Sequence, residues 1–183
     1  MNKLAYLLLI PLVAATNQLR GRDAMPGGAV PMRTVEGKRA LSIRPVRWTV
    51  VGGGSPLDVT SGRTVPITLQ ADIARGWHIY SLTQKAGGPI PLSIQLIDPG
   101  DVVIRGVIKA PKPERIFDKN FGIETELYSG SPRFTIPVGV PGRSQSGIRK
   151  LQIGARYQVC SATLCLPART DKLGVTLRIV GRK

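Results

Sequence analysis

The chain has 183 residues, of which 42% are hydrophobic and 20% are charged. This composition suits one domain with its own hydrophobic core, and it excludes both a disordered polymer and a protein with many membrane spans. The formal net charge of +15 raises the question of nucleic-acid binding, but the basic residues are spread along the chain and no basic motif interleaved with aromatics occurs. We therefore expect a solvated basic surface and no nucleic-acid partner.

The N-terminus has the pattern of a cleavable secretory signal peptide, with Lys3 followed by an apolar run from Leu4 to Ala15. As a helix this run would rise only about 18 Å, short of the roughly 30 Å of a bilayer core, so an uncleaved membrane anchor is the weaker alternative. We predict a signal peptide at residues 1–15, a flexible basic tether at 16–40 and one exported domain at 41–183. Disulfides can form outside the cytosol.

Short strands separated by turns that contain Gly and Pro dominate the remainder of the chain. The clearest strand spans residues 64–73, where apolar residues alternate with polar residues or proline, as expected for a strand with one buried face. The predicted strands are 43–51, 64–73, 77–82, 92–97, 102–108, 134–140, 148–159 and 175–179. No long helical period occurs, and strands at this spacing predict an all-β fold, an immunoglobulin-like antiparallel β-sandwich.

The two cysteines stand at the end of one predicted strand. Alternation along residues 148–159 places Cys160 on the polar face rather than in the core, and a short connection leads to Cys165, so the two sulfurs can meet. A purely structural staple over so short a loop would contribute about 2 kcal/mol. An exposed pair close to Arg156 and Arg169 would instead suit reversible exchange, because positive charge favours the thiolate. The spacing alone leaves the structural and the redox interpretation equally open.

Other cysteine chemistries fit the sequence less well. The spacing is C-x4-C instead of C-x-x-C, and no βαβ unit surrounds it, which argues against a thioredoxin active site. Two cysteines and one histidine are too few for a tetrahedral zinc site built from one chain. We expect neither a metal nor another cofactor.

Four short sequence motifs give further evidence about the fold and function of the chain. They are Gly-Trp-His-Ile-Tyr-Ser at 76–81, Gly-Gly-Pro-Ile-Pro at 87–91, Glu-Leu-Tyr-Ser-Gly at 126–130, and Tyr-Gln-Val-Cys with Cys-Leu-Pro within 157–167. In order and spacing, the chain from about residue 41 to 179 resembles the N-terminal periplasmic domain of the thiol:disulfide interchange protein DsbD. The resemblance implies an immunoglobulin-like sandwich that carries reducing equivalents in the periplasm, as a thiol:disulfide oxidoreductase.

The same resemblance implies roles for the two cysteines and a set of partners. Cys160 and Cys165 would be the redox pair, with Cys165 forming the mixed disulfide with partners and Cys160 resolving it. The partners would be thioredoxin-like oxidoreductases, including disulfide isomerases and the thioredoxins of cytochrome c maturation. Because this chain contains neither the membrane conduit nor the thioredoxin-like domain of DsbD, we expect its electrons to come from a separate membrane protein of the DsbD or CcdA type.

The resemblance also implies which residues surround the pair. His78 and Tyr80 hold the positions of two aromatic residues that lie beside the cysteines in the family, although an ordinary polar role is the alternative for His78. A cap loop would carry Asp118 and either Phe117 or Phe121 over the disulfide. The alternative for the two phenylalanines is a pair of core aromatics that flank a turn.

A function from another class also fits the sequence. The chain would then be an exported immunoglobulin-like binding or adaptor module whose disulfide is only structural. A reduction potential below about −300 mV would favour this module, and a potential in the range of glutaredoxins or disulfide isomerases would favour the carrier.

Overall fold

The computed structural model describes residues 44–181, so the predicted signal peptide and tether lie outside the described residues. Twelve strands and no helix occur in the described part. In chain order the strands are β1 (Val46–Val50), β2 (Leu57–Thr60), β3 (Thr64–Ile73), β4 (Trp77–Tyr80), β5 (Ser93–Ile97), β6 (Val103–Ile104), β7 (Glu114–Asp118), β8 (Ile123–Tyr128), β9 (Arg133–Gly139), β10 (Gly147–Tyr157), β11 (Val159–Ser161) and β12 (Arg169–Val180). Within residues 44–181 there is thus no apolar helix of bilayer-spanning length.

Two four-stranded sheets share the main hydrophobic core. One has the strand order β1-β3-β9-β6 and the other has the order β2-β12-β10-β5. Because side chains alternate between the faces of a strand, each sheet turns its apolar residues toward this core. The largest fully buried aliphatic and aromatic side chains that the two sheets contribute include Ile67, Leu69, Phe134, Ile136, Ile153 and Leu177. Burial of each such side chain stabilises the fold by about 1.5–3 kcal/mol.

A third sheet, with the order β11-β4-β8-β7, carries the cysteines. It is joined to the sandwich where β4 follows β3 through a turn at Gly76, whose φ of +81° lies in the left-handed region that favours glycine. One face of this sheet adds to the main core the side chains of Ile79, Tyr128 and Val159. The other face carries a separate group, here called the cysteine cluster, which consists of Tyr80, Leu127 and Cys160 with Phe121 and Cys165 packed against them.

The prediction of an all-β, immunoglobulin-like sandwich is confirmed. The structure differs from the predicted strands in several respects. β2 is absent from the predicted strands, and it runs parallel to β12, although the other ladders within residues 44–181 are antiparallel. The predicted strand 102–108 is reduced to the two residues of β6. The predicted strand 148–159 is interrupted at Gln158, whose side-chain oxygen accepts a hydrogen bond from the backbone N–H of Ile90 at 3.0 Å.

The antiparallel hairpin of β7 and β8, here called the cap hairpin, is absent from the predicted strands. Four of the five residues of β7 are exposed, so β7 has no apolar alternation by which the sequence could reveal it. The residues expected in a cap loop are divided between the end of β7 and the turn that follows it. Phe117 and Asp118 belong to β7, and Phe121 lies in the turn at residues 119–122 that leads to β8, here called the cap turn.

Candidate functional site

Cys160 and Cys165 form a disulfide across a tight antiparallel hairpin of residues 159–166, here called the cysteine hairpin. Their Cα atoms lie 4.1 Å apart, close to the short spacing of an antiparallel pair that exchanges no backbone hydrogen bonds. On the turn side of the pair, the backbone N–H of Ser161 donates to the carbonyl of Leu164 at 2.7 Å. The backbone of the hairpin thus holds the two sulfur-bearing residues opposite each other.

The two cysteines differ in accessibility. Cys160 is fully buried, whereas Cys165 is half-buried at the edge of the cysteine cluster. The expectation of an exposed Cys160 is therefore wrong. Alternation does direct Cys160 away from the main core, but residues of β4, β8 and the cap turn cover that face of the sheet. Cys165 is therefore the more accessible residue of the pair.

Strand β4 places two aromatic side chains beside the disulfide. His78 stands directly opposite Cys160 in the ladder between β4 and β11, a position that brings Cβ atoms to about 4.5–5.5 Å. Tyr80, two residues further on, is fully buried in the cysteine cluster. The rings of His78 and Tyr80 meet edge to face, with centroids 5.2 Å apart.

A buried carboxylate joins the cap hairpin to β4. Asp118 ends β7 and is only 3% exposed. The Tyr80 hydroxyl donates to Asp118 Oδ2 at 2.7 Å, and the backbone N–H of Asn120 donates to Asp118 Oδ1 at 2.8 Å. His78 Nε2 lies 3.3 Å from the Tyr80 oxygen and 3.9 Å from Asp118 Oδ2. The carboxylate therefore fixes the cap turn and orients the side chains of β4 at the same time.

Burial governs the protonation of the two β4 side chains. Desolvation, reinforced by the hydrogen bond to Asp118, raises the pKa of Tyr80 well above its ordinary value, so Tyr80 remains a hydrogen-bond donor. Desolvation also lowers the pKa of His78, and the attraction of Asp118 and Glu114 opposes this effect only in part. The imidazole is therefore neutral at pH 7 beside the intact disulfide.

Phe121, and not Phe117, packs over the cysteine cluster. The Phe121 ring meets the Tyr80 ring edge to face at a centroid distance of 5.9 Å. Phe117 is 60% exposed and is not part of the cluster. A polar contact reinforces the cap, because Asn120 Nδ2 donates to the carbonyl oxygen of Ser161 in the cysteine hairpin at 3.1 Å. One apolar and one polar contact thus tie the cap turn to the cysteines.

Two residues of this site do not stand out in the sequence. Asn120 follows Asp118 at the spacing of a turn in which an Asp side chain accepts the backbone N–H two residues further on, and this local signal could have identified it. Leu127 reaches the cysteine cluster from β8, and nothing in the sequence distinguishes it from other core leucines. Of the two arginines expected near the pair, Arg169 is engaged by Asp171, to which its guanidinium donates at 3.1 and 2.5 Å.

The reactive group of the site is the disulfide itself. A disulfide can exchange with an incoming thiolate. Among the residues from 44 to 181, no three His, Cys, Asp or Glu side chains are grouped so that they could hold a metal ion.

Comparisons with known proteins point to the same chemistry. The family model described as "Thiol:disulfide interchange protein DsbD, N-terminal" matches residues 54–177, which include β4, the cap hairpin and both cysteines. The DsbD N-terminal domain of Neisseria meningitidis in the reduced form is similar at 18% identity and a TM-score of 0.45, over 64% of this chain and 82% of that chain. The N-terminal periplasmic domain of ScsB from Proteus mirabilis is similar at 22% identity and a TM-score of 0.47, over 73% of this chain and 45% of that chain. No curated protein sequence matched the chain.

Proposed function

The chain belongs to the family of N-terminal domains of the thiol:disulfide interchange protein DsbD, and we propose that it is an exported oxidoreductase that carries two electrons at a time on Cys160 and Cys165. The observation that carries the proposal is the unequal accessibility of the two cysteines, one half-buried and one fully buried. A structural staple needs no such difference. A carrier needs one sulfur that a partner can reach and a second sulfur that only the first can reach.

The proposal gives each sulfur a role, and the unequal burial of the two cysteines supports it. When the reduced protein meets a partner disulfide, the thiolate of Cys165 attacks one partner sulfur, and the other partner sulfur leaves as a thiolate. The thiolate of Cys160 then attacks Cys165 Sγ, breaks the mixed disulfide and releases the second partner thiolate. Two electrons have passed to the partner, the two protons of the dithiol have passed to solvent or to the partner thiolates, and the Cys160–Cys165 disulfide has formed. The reverse sequence recharges the pair from a donor dithiol.

The cap hairpin would control access to this exchange. Phe121 and Asn120 close over the cysteine hairpin, and the cap turn ends at Gly122, whose φ of +68° lies in the left-handed region. We propose that the cap shields the sulfurs from small oxidants and swings aside at this glycine when a partner docks.

The location and the partners are part of the same proposal. The protein would work in the periplasm, take electrons from a separate membrane protein of the DsbD or CcdA type, and pass them to thioredoxin-like oxidoreductases. Exposed apolar side chains on the cap hairpin and the cysteine hairpin would suit contact with another protein, and they are Ile116, Phe117, Ile123 and Leu164.

Trapping of mixed disulfides tests the proposal. A Cys160→Ala variant should accumulate a covalent complex with a thioredoxin-like partner through Cys165, because the resolving sulfur is gone. The matched Cys165→Ala variant should trap little, since its remaining cysteine is fully buried. Complexes are separated on non-reducing gels and identified by mass spectrometry. Trapping by Cys165→Ala alone would reverse the two roles.

The reduction potential separates the carrier from the binding module with a structural disulfide. Equilibration with glutathione or dithiothreitol buffers should give a value between about −120 and −230 mV, the range of disulfide carriers and isomerases. A value below about −300 mV, together with no trapping by either variant, would contradict the carrier and favour the binding module.

A further inference from the structure

We propose that His78 is the redox-linked proton site of the cysteine pair, which takes up a proton when the disulfide is reduced and returns it when the disulfide forms again. This inference rests on the proposed function, since it describes the protonation that accompanies each round of exchange. Three structural observations support it: the position of His78 relative to Cys160, the groups that surround its imidazole, and its access to solvent.

The first observation is the position of His78 in the sheet. It stands directly opposite Cys160, so the two side chains leave the same face of the ladder between β4 and β11. When a donor thiolate attacks Cys165, the sulfur that leaves with the electron pair is that of Cys160. Cys160 is fully buried, and a bare thiolate is strongly disfavoured there unless a positive charge forms close by.

The second observation is the set of ionisable groups around the imidazole. On its own strand the neighbour is Tyr80, which holds its proton and donates it in a hydrogen bond to Asp118. From β7, Asp118 lies 3.9 Å from Nε2, and Glu114 adds a weaker attraction. Lys119, in the cap turn, lines a groove together with His78. Asp118 is therefore placed to stabilise a protonated imidazole. In the disulfide form the second negative charge, that of the Cys160 thiolate, is absent, and it appears only when the disulfide is reduced.

The third observation is a path for protons. A groove of about 210 Å³ opens between the cap hairpin and the cysteine hairpin, with His78 on one wall and Phe117 and Ala162 on others. The side chain of His78 is 13% exposed, in contrast to the 2% exposure of the Asp118 side chain. Among His78, Tyr80 and Asp118, His78 is thus the side chain most accessible to solvent.

In the reduction step, one proton goes to the sulfur of Cys165 and one to the imidazole of His78. A donor dithiol becomes a disulfide and gives two electrons and two protons; the bond between Cys160 and Cys165 breaks. The products are a Cys165 thiol, a Cys160 thiolate and a protonated His78, so both protons and the zero net change in charge are accounted for. Oxidation of the pair by a partner disulfide returns the proton from His78 to solvent.

The test uses the chain without an added histidine tag, because His78 is then the one histidine in the sequence. Proton NMR follows its Cε1–H resonance from about pH 5 to pH 9 in the disulfide form and in the form reduced by dithiothreitol. We expect the titration midpoint to be higher in the reduced form by about one pH unit or more, since a thiolate about 5 Å away favours the imidazolium. Midpoints less than about 0.3 pH unit apart would overturn the proposal.

Single-cysteine variants identify the sulfur that is responsible. The raised midpoint should persist in Cys165→Ala, which keeps Cys160, and should disappear in Cys160→Ala. The opposite pattern would overturn the pairing of His78 with Cys160. In the Cys165→Ala background, a further His78→Gln change should move the rise of thiolate absorbance near 240 nm to higher pH, and an unchanged curve would contradict the inference. Because no partner protein takes part, failure of these titrations is distinguishable from failure of the trapping experiment.

Discussion

The main core and the cysteine cluster are built from similar side chains but are enclosed in different ways. The main core is shared by two four-stranded sheets, and side chains such as Phe134 and Ile153 are fully buried there. The outer side of the cysteine cluster is closed by one turn, which is held by the ring of Phe121, by a hydrogen bond from Asn120 to Ser161 and by a hydrogen bond from Tyr80 to Asp118. Regions held by few buried contacts open at lower free energy than the whole fold. The difference indicates that the sandwich can stay folded while the cap opens.

The first way to test this comparison is to damage the main core. Phe134→Ala removes a fully buried ring that packs against Trp48 at 5.6 Å and Tyr128 at 5.2 Å between centroids. We expect a loss of about 3–5 kcal/mol in the free energy of unfolding, measured by urea denaturation of the disulfide form. The native fraction should still exchange its disulfide at an unchanged rate, because the ring lies outside the cysteine cluster.

Phe134→Leu provides the control for this change. It keeps most of the apolar volume and should lose clearly less stability than the alanine variant. If the rate of disulfide exchange in the native state rises in parallel with the loss of stability, the two regions open together. That result would contradict the inference that the cap opens while the sandwich stays folded.

The main core is also the part of the fold that sequence patterns predict well. Strands β3, β9 and β12 each have one apolar face and one polar face, so a period of two residues reveals them. The cap hairpin escapes this rule because β7 is exposed on both faces for most of its length. The same rule does not reveal the break at Gln158, because the alternation of apolar and polar residues continues across it. The break coincides with a hydrogen bond from the distant backbone N–H of Ile90 to the Gln158 side chain.

The second prediction concerns the cap. Phe121→Ala should cost about 1–2 kcal/mol of stability, because the ring is only partly buried, and should weaken closure by the same amount. The disulfide should then be reduced by dithiothreitol about 5- to 30-fold faster in the native state. Stopped assays of free thiols against time give this rate directly.

The matched control is Phe117→Ala, which removes the same ring from the same hairpin at a position that is 60% exposed. Its effect on stability should stay within about 0.5 kcal/mol, and its reduction by dithiothreitol should be unchanged. Equal acceleration by the two variants would mean that Phe121 does not act as the cover of the sulfurs.

The candidate site was predictable only in part, for physical reasons. His78 and Tyr80 lie next to the pair, as the resemblance implies, because β4 pairs with β11 in a register that sets His78 opposite Cys160. The burial of Cys160 was not predictable from alternation, which tells which face a residue occupies but not what covers that face. The choice between Phe117 and Phe121 depends on where β7 ends. Because β7 has no alternation of apolar and polar residues, the sequence does not reveal its end.

The smallest expected effect is a dependence of stability on pH near neutrality. It should arise at the cysteine cluster, because the one histidine in the sequence lies beside that cluster. The pKa of His78 in the folded disulfide form is lower than its ordinary value, so the unfolded chain binds more protons as the pH falls through about 6.5. Stability should therefore decrease slightly from pH 7.5 to pH 5.5, because one partly exposed imidazole supplies the whole difference in bound protons in this range. Carboxylates whose pKa is lowered by hydrogen bonds and nearby cations, such as Asp72 and Glu126, contribute stability that is lost only at lower pH, below about 4. Urea midpoints across this range should thus be flatter in His78→Gln than in the unmodified chain, and parallel curves would show that burial of His78 does not disfavour its protonated form.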